Sequence, residues 1–315
     1  MAKDIEIVTI KADCRSWNPK MNRCECVWNK KCMRENKQCA DYEPIELDRL
    51  IEKSIEVLQS FAPPNGEPYY VAYSGGKDSI VLLHLVKMSG VPFDAHYNLT
   101  TIDPPPVVQA IKANPDISIN YPKRTMWQLI EKKGLPTRLR RWCCKELKEG
   151  GGNGRFVLTG VRWAESPKRA TRGAVEVSQT RTGRKERYNF DNEGANQFKF
   201  CPTKGAKILN PIINWKVGDI WAFIERFGLE YPAQYDEGWS RLGCIACPLG
   251  NSGKRDFEIY PTYRVAFEHA LKRYFEAYPR PDGPGNEKEW IDWYISGGRG
   301  KKVEEELFAR EDEEE

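Results

Sequence analysis

The sequence contains few histidines and no long apolar run, and both scarcities exclude classes of function. Three histidines occur in 315 residues: His84 and His96 within apolar segments, and His269 in a late helical segment. We interpret them as packed or surface side chains rather than metal ligands, and no Ser/His/Asp triad can be assembled from them. No apolar run reaches the roughly 20 residues that a transmembrane helix needs. No signal peptide opens the chain, so we expect a cytoplasmic protein without a membrane partner.

The composition is that of a globular protein, with 40% hydrophobic and 30% charged residues. A chain of 315 residues can form one large domain, or a medium domain with appendages. The net charge of +4 includes acidic runs at 304–306 and 311–315, so the remainder is more basic and favours polyanionic partners. Ten cysteines in a cytoplasmic protein indicate metal or redox chemistry rather than structural disulfides.

A predicted phosphate loop lies between an apolar β-rich run at 69–73 and apolar residues at helical spacing from Ile80. The loop reads Ser74-Gly75-Gly76-Lys77-Asp78-Ser79. Glycines let successive N–H groups converge, and a helix start adds free N–H groups and a positive dipole end. Lys77 supplies a mobile charge, the serines supply hydroxyls, and Asp78 suits a magnesium ion beside the phosphates. The alternative is a plain glycine turn that opens an ordinary helix.

Strand and helix patterns alternate around this loop. Helical patterns cover 45–61, 104–113 and 126–130, and strand patterns cover 91–97, 117–119 and 156–160. The alternation predicts an α/β fold with a doubly wound parallel sheet. Ligands bind such sheets beyond the carboxyl ends of the strands, where the phosphate loop, 98–103 and Gly160–Arg162 all fall. We therefore expect a single nucleotide site at this edge.

The first 43 residues are rich in cysteine and poor in apolar periodicity. Five cysteines fall here: Cys14, Cys24, Cys26, Cys32 and Cys39. So short a segment cannot bury a core, and a metal could supply its folding energy. We predict zinc on four of these five cysteines. The alternatives are an iron–sulfur cluster, which would be additional to the one considered below for the later cysteines, and scattered reduced thiols.

A second set of cysteines combines the adjacent pair Cys143 and Cys144 with Cys244 and Cys247, which are spaced C-x-x-C. Four thiolates can hold zinc or a [4Fe–4S] cluster, and spacing alone does not decide between them.

The phosphate loop lacks the Walker spacing and resembles the PP-loop of ATP pyrophosphatases, which split ATP between its α and β phosphates. Over residues 69–250 the chain resembles the phosphoadenosine-phosphosulfate reductase family, with the adenine nucleotide alpha-hydrolase-like fold. Beside the loop and cysteines, the resemblance includes Gly160-Val161-Arg162-Trp163-Ala164-Glu165-Ser166 with Arg169, and Asn210-Pro211-Ile212-Ile213-Asn214-Trp215 with Asp219, Ile220 and Trp221.

The resemblance implies roles for individual residues. Nucleotide binding is expected at Ser74, Gly75, Gly76, Lys77, Asp78, Ser79, Gly160, Arg162, Glu165 and Arg169, with Lys77, Asp78 and Arg162 catalytic. It also implies a [4Fe–4S] cluster on the second cysteine set, as in the adenylylsulfate reductase branch.

Two departures separate the chain from sulfonucleotide reductases: no cysteine follows Cys247, and the loop keeps Lys77 and Asp78. The combination resembles sulfur-inserting relatives that thiolate tRNA or phosphorothioate DNA. We expect ATP and Mg²⁺ to adenylylate the substrate, and sulfur from a donor such as a cysteine desulfurase then to displace AMP. The alternatives are adenylylation without sulfur chemistry, and a reductase or sensor that binds adenylylsulfate compounds but lacks its own nucleophile.

A basic polar stretch between 162 and 207 is predicted to be a long loop near the mouth of the site. Its cations are Lys168, Arg169, Arg172, Arg181, Arg184, Lys185 and Arg187. The loop could track the phosphate backbone of DNA or tRNA, or be a solvated insertion. Together these patterns predict three regions: a metal-binding segment at 1–43, the PP-loop domain at 44–250, and a helical region with an acidic tail at 251–315. The oligomeric state is left open.

Overall fold

The structure, a computed structural model, describes residues 14–21, 23–25, 44–63, 65–138, 140–149, 151–152, 154–178, 185–188, 207–250, 252–279 and 287–296. The chain divides into two compact units. The first comprises Met1–Tyr97, Gln109–Ile119 and Gly151–Leu242, and the second comprises Asn98–Val108, Asn120–Gly150 and Gly243–Glu315. No helix in the described part of the chain combines the length and the hydropathy needed to cross a bilayer.

The strands, in chain order, are β1 (Trp17–Asn18), β2 (Arg23–Cys24), β3 (Tyr69–Tyr73), β4 (Phe93–Asn98), β5 (Ile117–Asn120), β6 (Phe156–Leu158), β7 (Val175–Ser178), β8 (Lys185–Tyr188) and β9 (Lys207–Leu209). The helices are α1 (Leu47–Ser60), α2 (Lys77–Ser89), α3 (Pro105–Ala113), α4 (Met126–Lys133), α5 (Trp142–Leu147), α6 (Pro167–Ala170), α7 (Val217–Arg226), α8 (Gly253–Ile259), α9 (Pro261–Ala277) and α10 (Glu287–Ile295). Single 3₁₀ turns occur at Trp163–Glu165 and Ala233–Tyr235.

A seven-stranded sheet forms the centre of the first unit, in the order β5-β4-β3-β6-β9-β7-β8. β3 pairs in parallel with β4 and β6, and β6 pairs in parallel with β9. Parallel strands are covered on both faces, so their residues form continuous apolar runs, as in the wholly buried Phe156–Leu158. The predicted α/β fold with a doubly wound parallel sheet is confirmed.

The prediction of one long loop between 162 and 207 was wrong, because two strands, β7 and β8, form within it. β7 pairs antiparallel with β9, matching Val175 to Leu209, and β8 pairs antiparallel with β7, matching Val175 to Tyr188. Val175 and Val177 are buried. Pairing with the edge of β9 satisfies the backbone of this segment, and it overrides the polar composition that suggested a loop.

The second unit is organised around α9, as expected from its aromatic helices. Phe267, Leu271 and Tyr274 on α9 are buried in one cluster with Met126, Leu129 and Ile130 on α4 and Trp290 and Ile291 on α10. Trp127 packs edge-on against Phe267 with 5.2 Å between ring centroids. The late aromatic residues therefore form part of a core in the second unit.

Candidate functional site

The predicted strand–loop–helix is present in the first unit. β3 ends at Tyr73 and α2 begins at Lys77, with Gly75 between them in the left-handed region at φ 75°. A residue with a Cβ is strained in that region, so the turn needs glycine here. The Ser79 amide and hydroxyl both donate to the Gly76 carbonyl, at 2.9 and 2.8 Å. The Ser74 hydroxyl donates to Ser79 Oγ over 3.2 Å, which draws the two ends of the loop together.

Two glycines allow other segments to approach this loop closely. A Cβ on Gly160, which follows β6, would lie 3.0 Å from the Asp78 carbonyl oxygen. A Cβ on Gly76 would lie 3.3 Å from the Tyr235 hydroxyl. Gly160 therefore adjoins the loop as the sequence predicted, because the parallel strands β3 and β6 end at the same edge of the sheet.

Lys77 is buried at 5% exposure, and its ammonium is held by several groups. Nζ lies 3.2 Å from Asp78 Oδ2 and donates to the Ser240 carbonyl over 3.3 Å. The same atom lies 5.4 Å from the centroid of the Tyr235 ring. Sequence reasoning missed Ser240 and Tyr235, since nothing in the spacing of the chain relates them to Lys77.

Asp78 forms a buried ion pair with Arg162. Arg162 Nε donates to Asp78 Oδ1 over 2.6 Å, and its Nη1 donates to the Trp215 carbonyl over 3.3 Å. Burial alone would raise the pKa of Asp78, but the charges of Arg162 and Lys77 outweigh it and lower the pKa to about 2. The carboxylate is therefore ionised at neutral pH, with one oxygen beside each cation. Its magnesium-binding role stays a prediction.

Glu165 and Arg169 support the turn that presents Arg162. The Arg162 amide donates to Glu165 Oε2 over 3.0 Å, and Arg169 forms an ion pair with Glu165. Ser166 Oγ accepts from the Arg169 amide at 3.2 Å and caps α6. Glu165 and Arg169, both predicted to bind the nucleotide, thus form an ion pair with each other. Their contact with a nucleotide stays a prediction.

The four cysteines of the second set come together in the second unit. The pKa of Cys143 is raised first by a hydrogen bond with Cys144, then by burial and by the nearby sulfurs of Cys144, Cys244 and Cys247. The hydrogen bond with Cys143, and then one from Arg141, lower the pKa of Cys144 to about 5 against the effect of burial. The predicted association of these residues, separated by about a hundred positions, is therefore present.

Polar groups surround these thiols. Arg141 Nη2 donates to Cys144 Sγ over 3.4 Å, and Thr100 Oγ1 lies 3.4 Å from Cys244 Sγ. Lys148 lies beside Cys244, and although burial disfavours its charge, the thiol raises the pKa of the ammonium. Cations beside sulfur stabilise thiolates, which are the metal-binding form of cysteine.

The surroundings of this cysteine set bear on metal binding. Among the described residues, no group of three or more His, Cys, Asp or Glu side chains is spaced to hold a metal ion. Two buried donors next to the cysteines, Arg141 Nε and Trp142 Nε1, find no hydrogen-bond partner in the described part of the chain. Orphaned buried donors are costly and call for an acceptor. A [4Fe–4S] cluster on these four cysteines stays a prediction.

The predicted N-terminal metal segment is described only in part. Cys14 and Cys24 lie in the first unit, whereas Cys26, Cys32 and Cys39 lie outside the described residues. The Gly218 amide donates to the Arg15 carbonyl over 2.8 Å, and the Arg15 guanidinium pairs with the buried Asp219 at 2.9 Å. This segment is thereby attached to α7, and zinc binding by its cysteines stays a prediction.

Comparisons with known proteins relate the chain to one family. Residues 68–249 match the phosphoadenosine phosphosulfate reductase domain. Two uncharacterized proteins of Methanocaldococcus jannaschii, MJ0066 and MJ0973, are each 25% identical to it, over 69% and 72% of this chain and 44% and 54% of their own lengths. The chain thus spans about half the length of these curated relatives. Phosphoadenylyl-sulfate reductase from Candida auris, solved as a phosphate complex, aligns with a TM-score of 0.41 and 17% identity, over 67% of this chain and 98% of that chain.

The matched region is more than half of the 315 residues. It contains the phosphate loop, the turn that carries Arg162, and the cysteines of the second set. The chain therefore belongs to the phosphoadenosine phosphosulfate reductase domain family, a family named for an enzyme that acts on a nucleotide.

Proposed function

We propose that this chain is an ATP pyrophosphatase that transfers the adenylyl group of ATP to an oxygen of its substrate. The observation that carries the proposal is the complete phosphate loop, in which Lys77 and the Asp78–Arg162 ion pair are buried together at the start of α2. Two cations against one carboxylate leave a net positive charge there, and the N-terminal dipole of a 13-residue helix adds to it. Such a site suits a polyphosphate.

The reaction breaks the bond between the α-phosphorus and the oxygen that bridges to the β-phosphorus. A substrate oxygen attacks the α-phosphorus, and pyrophosphate leaves with the electron pair and the developing negative charge. Lys77 is the cation at the start of α2 and stabilises that charge, while Arg162 is held in place by Asp78. The loop offers Asp78 and Ser79 as oxygen ligands for Mg²⁺, which supplies further charge neutralisation when bound.

The finer part of the proposal is sulfur transfer to a nucleic acid. Cys143, Cys144, Cys244 and Cys247 would hold a [4Fe–4S] cluster, which would supply sulfur-transfer or redox chemistry. The support is the association of these thiols with cationic and unpaired N–H groups. A sulfur atom from a persulfide donor such as a cysteine desulfurase, reduced to the sulfide level by a thiol reductant, attacks the activated centre. AMP then leaves with the original oxygen, so sulfur replaces oxygen in the product.

Product analysis tests the proposal. Protein purified without oxygen is incubated with MgATP labelled at the α-phosphate, a sulfide source, and either tRNA or duplex DNA. We expect AMP and pyrophosphate in equal amounts and sulfur in the recovered nucleic acid. ADP with phosphate would contradict the reaction class, and pyrophosphate with the labelled AMP retained on the nucleic acid and no sulfur incorporated would restrict the function to adenylylation.

The family match also favours a second candidate, a reductase or sensor that binds adenylylsulfate compounds and uses a nucleophile from a partner. Its test is sulfite release from adenylylsulfate in the presence of a thiol reductant. Pyrophosphate distinguishes the two candidates, because adenylylation requires its release and sulfonucleotide reduction does not produce it.

A further inference from the structure

Tyr235 brings a buried hydroxyl group to the phosphate loop. It ends the 3₁₀ turn Ala233–Tyr235 and is 1% exposed. Its hydroxyl oxygen accepts a hydrogen bond from the Lys77 amide over 3.0 Å, and its ring faces the ammonium of the same lysine. Gly76 makes this approach possible, because the Cβ of any other residue at this position would lie only 3.3 Å from the hydroxyl.

The hydroxyl proton has no acceptor among the described residues. A phenol accepts through its oxygen and donates through its single proton, and the Lys77 amide uses the accepting side. Burial, and then the charge of Asp78, raise the pKa of Tyr235, so the hydroxyl keeps its proton at neutral pH. A buried donor without an acceptor is rare and indicates a group that arrives from outside the described chain.

The position of this donor identifies the arriving group. The Lys77 amide belongs to the first turn of α2, whose free N–H groups are the ones that a helix start offers to a phosphate. The Tyr235 oxygen accepts the hydrogen bond of that amide, so the hydroxyl proton of Tyr235 becomes the donor available to a phosphate. Chains of hydrogen bonds polarise one another, so a hydroxyl that accepts from the helix amide is a better donor to an anion.

The ring of Tyr235 is fixed by aromatic neighbours. It packs edge-on against Trp221 with 5.2 Å between centroids and lies 6.4 Å from the ring of Tyr231. Tyr231 directs its own hydroxyl elsewhere, accepting from Lys20 Nζ at 2.6 Å. The two tyrosines thus share one cluster, and only Tyr235 contacts the loop in the described structure.

We propose that Tyr235 is a nucleotide-contacting residue whose hydroxyl donates to a non-bridging phosphate oxygen of ATP. The inference rests on the proposed function, since it takes a nucleoside triphosphate as the ligand of the loop. It assigns to the 3₁₀ turn a direct share in phosphate binding, in addition to the loop itself.

The test compares Tyr235→Phe with the matched control Tyr231→Phe, using the full chain without a second substrate. Dissociation constants are measured for MgATP and for adenosine. Because a hydrogen bond to a charged group is lost, we expect Tyr235→Phe to weaken MgATP binding about tenfold or more and to leave adenosine binding unchanged. Tyr231→Phe should bind both ligands like the wild type.

A spectroscopic measurement distinguishes direct contact of Tyr235 with ATP from a purely structural role of this residue. With 3-fluorotyrosine incorporated, the ¹⁹F resonance that disappears in Tyr235→Phe should shift on addition of MgATP and stay in place on addition of adenosine. Wild-type affinity for MgATP in Tyr235→Phe, or equal losses for both ligands, would overturn the assignment. Failure to form pyrophosphate counts against the proposed reaction instead, since the binding measurements need no turnover.

Discussion

Arg162 Nε donates to Asp78 Oδ1 over 2.6 Å, and this bond joins two segments that lie 84 positions apart in the chain. The pair ties the turn after β6 to the phosphate loop at the start of α2. Both side chains are largely buried, and the Asp78 carboxylate compensates the charges of Arg162 and Lys77 together.

Replacement of Arg162 by Met should therefore destabilise the first unit. Removing Arg162 leaves Asp78 with Lys77 as its remaining cation, so we expect a loss of unfolding free energy towards the lower end of the about 3–5 kcal/mol that breaking a buried pair costs. Urea titration measures the loss. The control is Arg155→Met, because Arg155 pairs with the more exposed Asp94 and such pairs contribute about 0–1 kcal/mol. Equal losses in the two variants would contradict the role given to burial.

The stability of the first unit should depend on pH through Asp78. Its pKa is lowered from 3.8 to about 2 in the folded chain, so the folded state favours the ionised carboxylate. The resulting stabilisation is fully present above about pH 4 and is lost as the pH falls towards 2, and it amounts to roughly 2 kcal/mol. Urea titrations between pH 5 and 2 should show this loss in the wild type. In Asp78→Asn the free energy of unfolding should lack this loss between pH 5 and 2. A variant with the same pH profile as the wild type would contradict the assignment of the loss to Asp78.

Lys77→Ala should abolish the formation of AMP and pyrophosphate, because the leaving group loses the cation that stabilises its charge. The matched control is Lys87→Ala on the same helix, where Lys87 is partly exposed and pairs with Asp116. That variant should retain the wild-type rate. Circular dichroism establishes that both variants fold, and full activity in Lys77→Ala would remove this lysine from the mechanism.

Protein purified without oxygen should contain iron and inorganic sulfide, with broad visible absorption. Cys144→Ser and Cys247→Ser should each lose that absorption, since each removes one thiolate ligand. Cys201→Ser is the control, because Cys201 belongs to neither cysteine set and lies outside the described residues. Stoichiometric zinc without iron would contradict the cluster.

Nucleic-acid binding, where it occurs, should weaken steeply as salt increases, because bound cations release counterions from the phosphate backbone. Replacing Arg181, Arg184 and Lys185 by Ala should reduce the slope of log affinity against log salt by about one unit per charge and weaken all sequences alike. ATP binding should be unaffected, since the paired backbones of Ser178 and Lys185 lie at the edge of the sheet where the parallel strands begin. Fluorescence titrations with tRNA and duplex DNA measure both properties. Weak binding that is insensitive to salt would end the nucleic-acid hypothesis.

Local patterns in the sequence were enough to predict the parallel sheet and the phosphate loop. The apolar runs of β3 and β6 and the glycines of the loop are short-range signals, and parallel pairing then places their ends together. Tyr235, Ser240 and the Arg15–Asp219 pair could not be predicted in the same way, because each contact joins segments that are distant in the chain. β7 and β8 were missed since their pairing depends on β9 rather than on their own composition.

The position of β8 at the end of the sheet has a consequence for solubility. In the described structure its outer side has no strand partner, and such an edge is a template for pairing with another chain and for aggregation. β8 contains Lys185, Glu186 and Arg187 in succession. Charged residues on an edge strand oppose edge-to-edge association, because pairing two copies would bring like charges together. The charged sequence of β8 is thus of the kind that disfavours growth into a continuous intermolecular sheet.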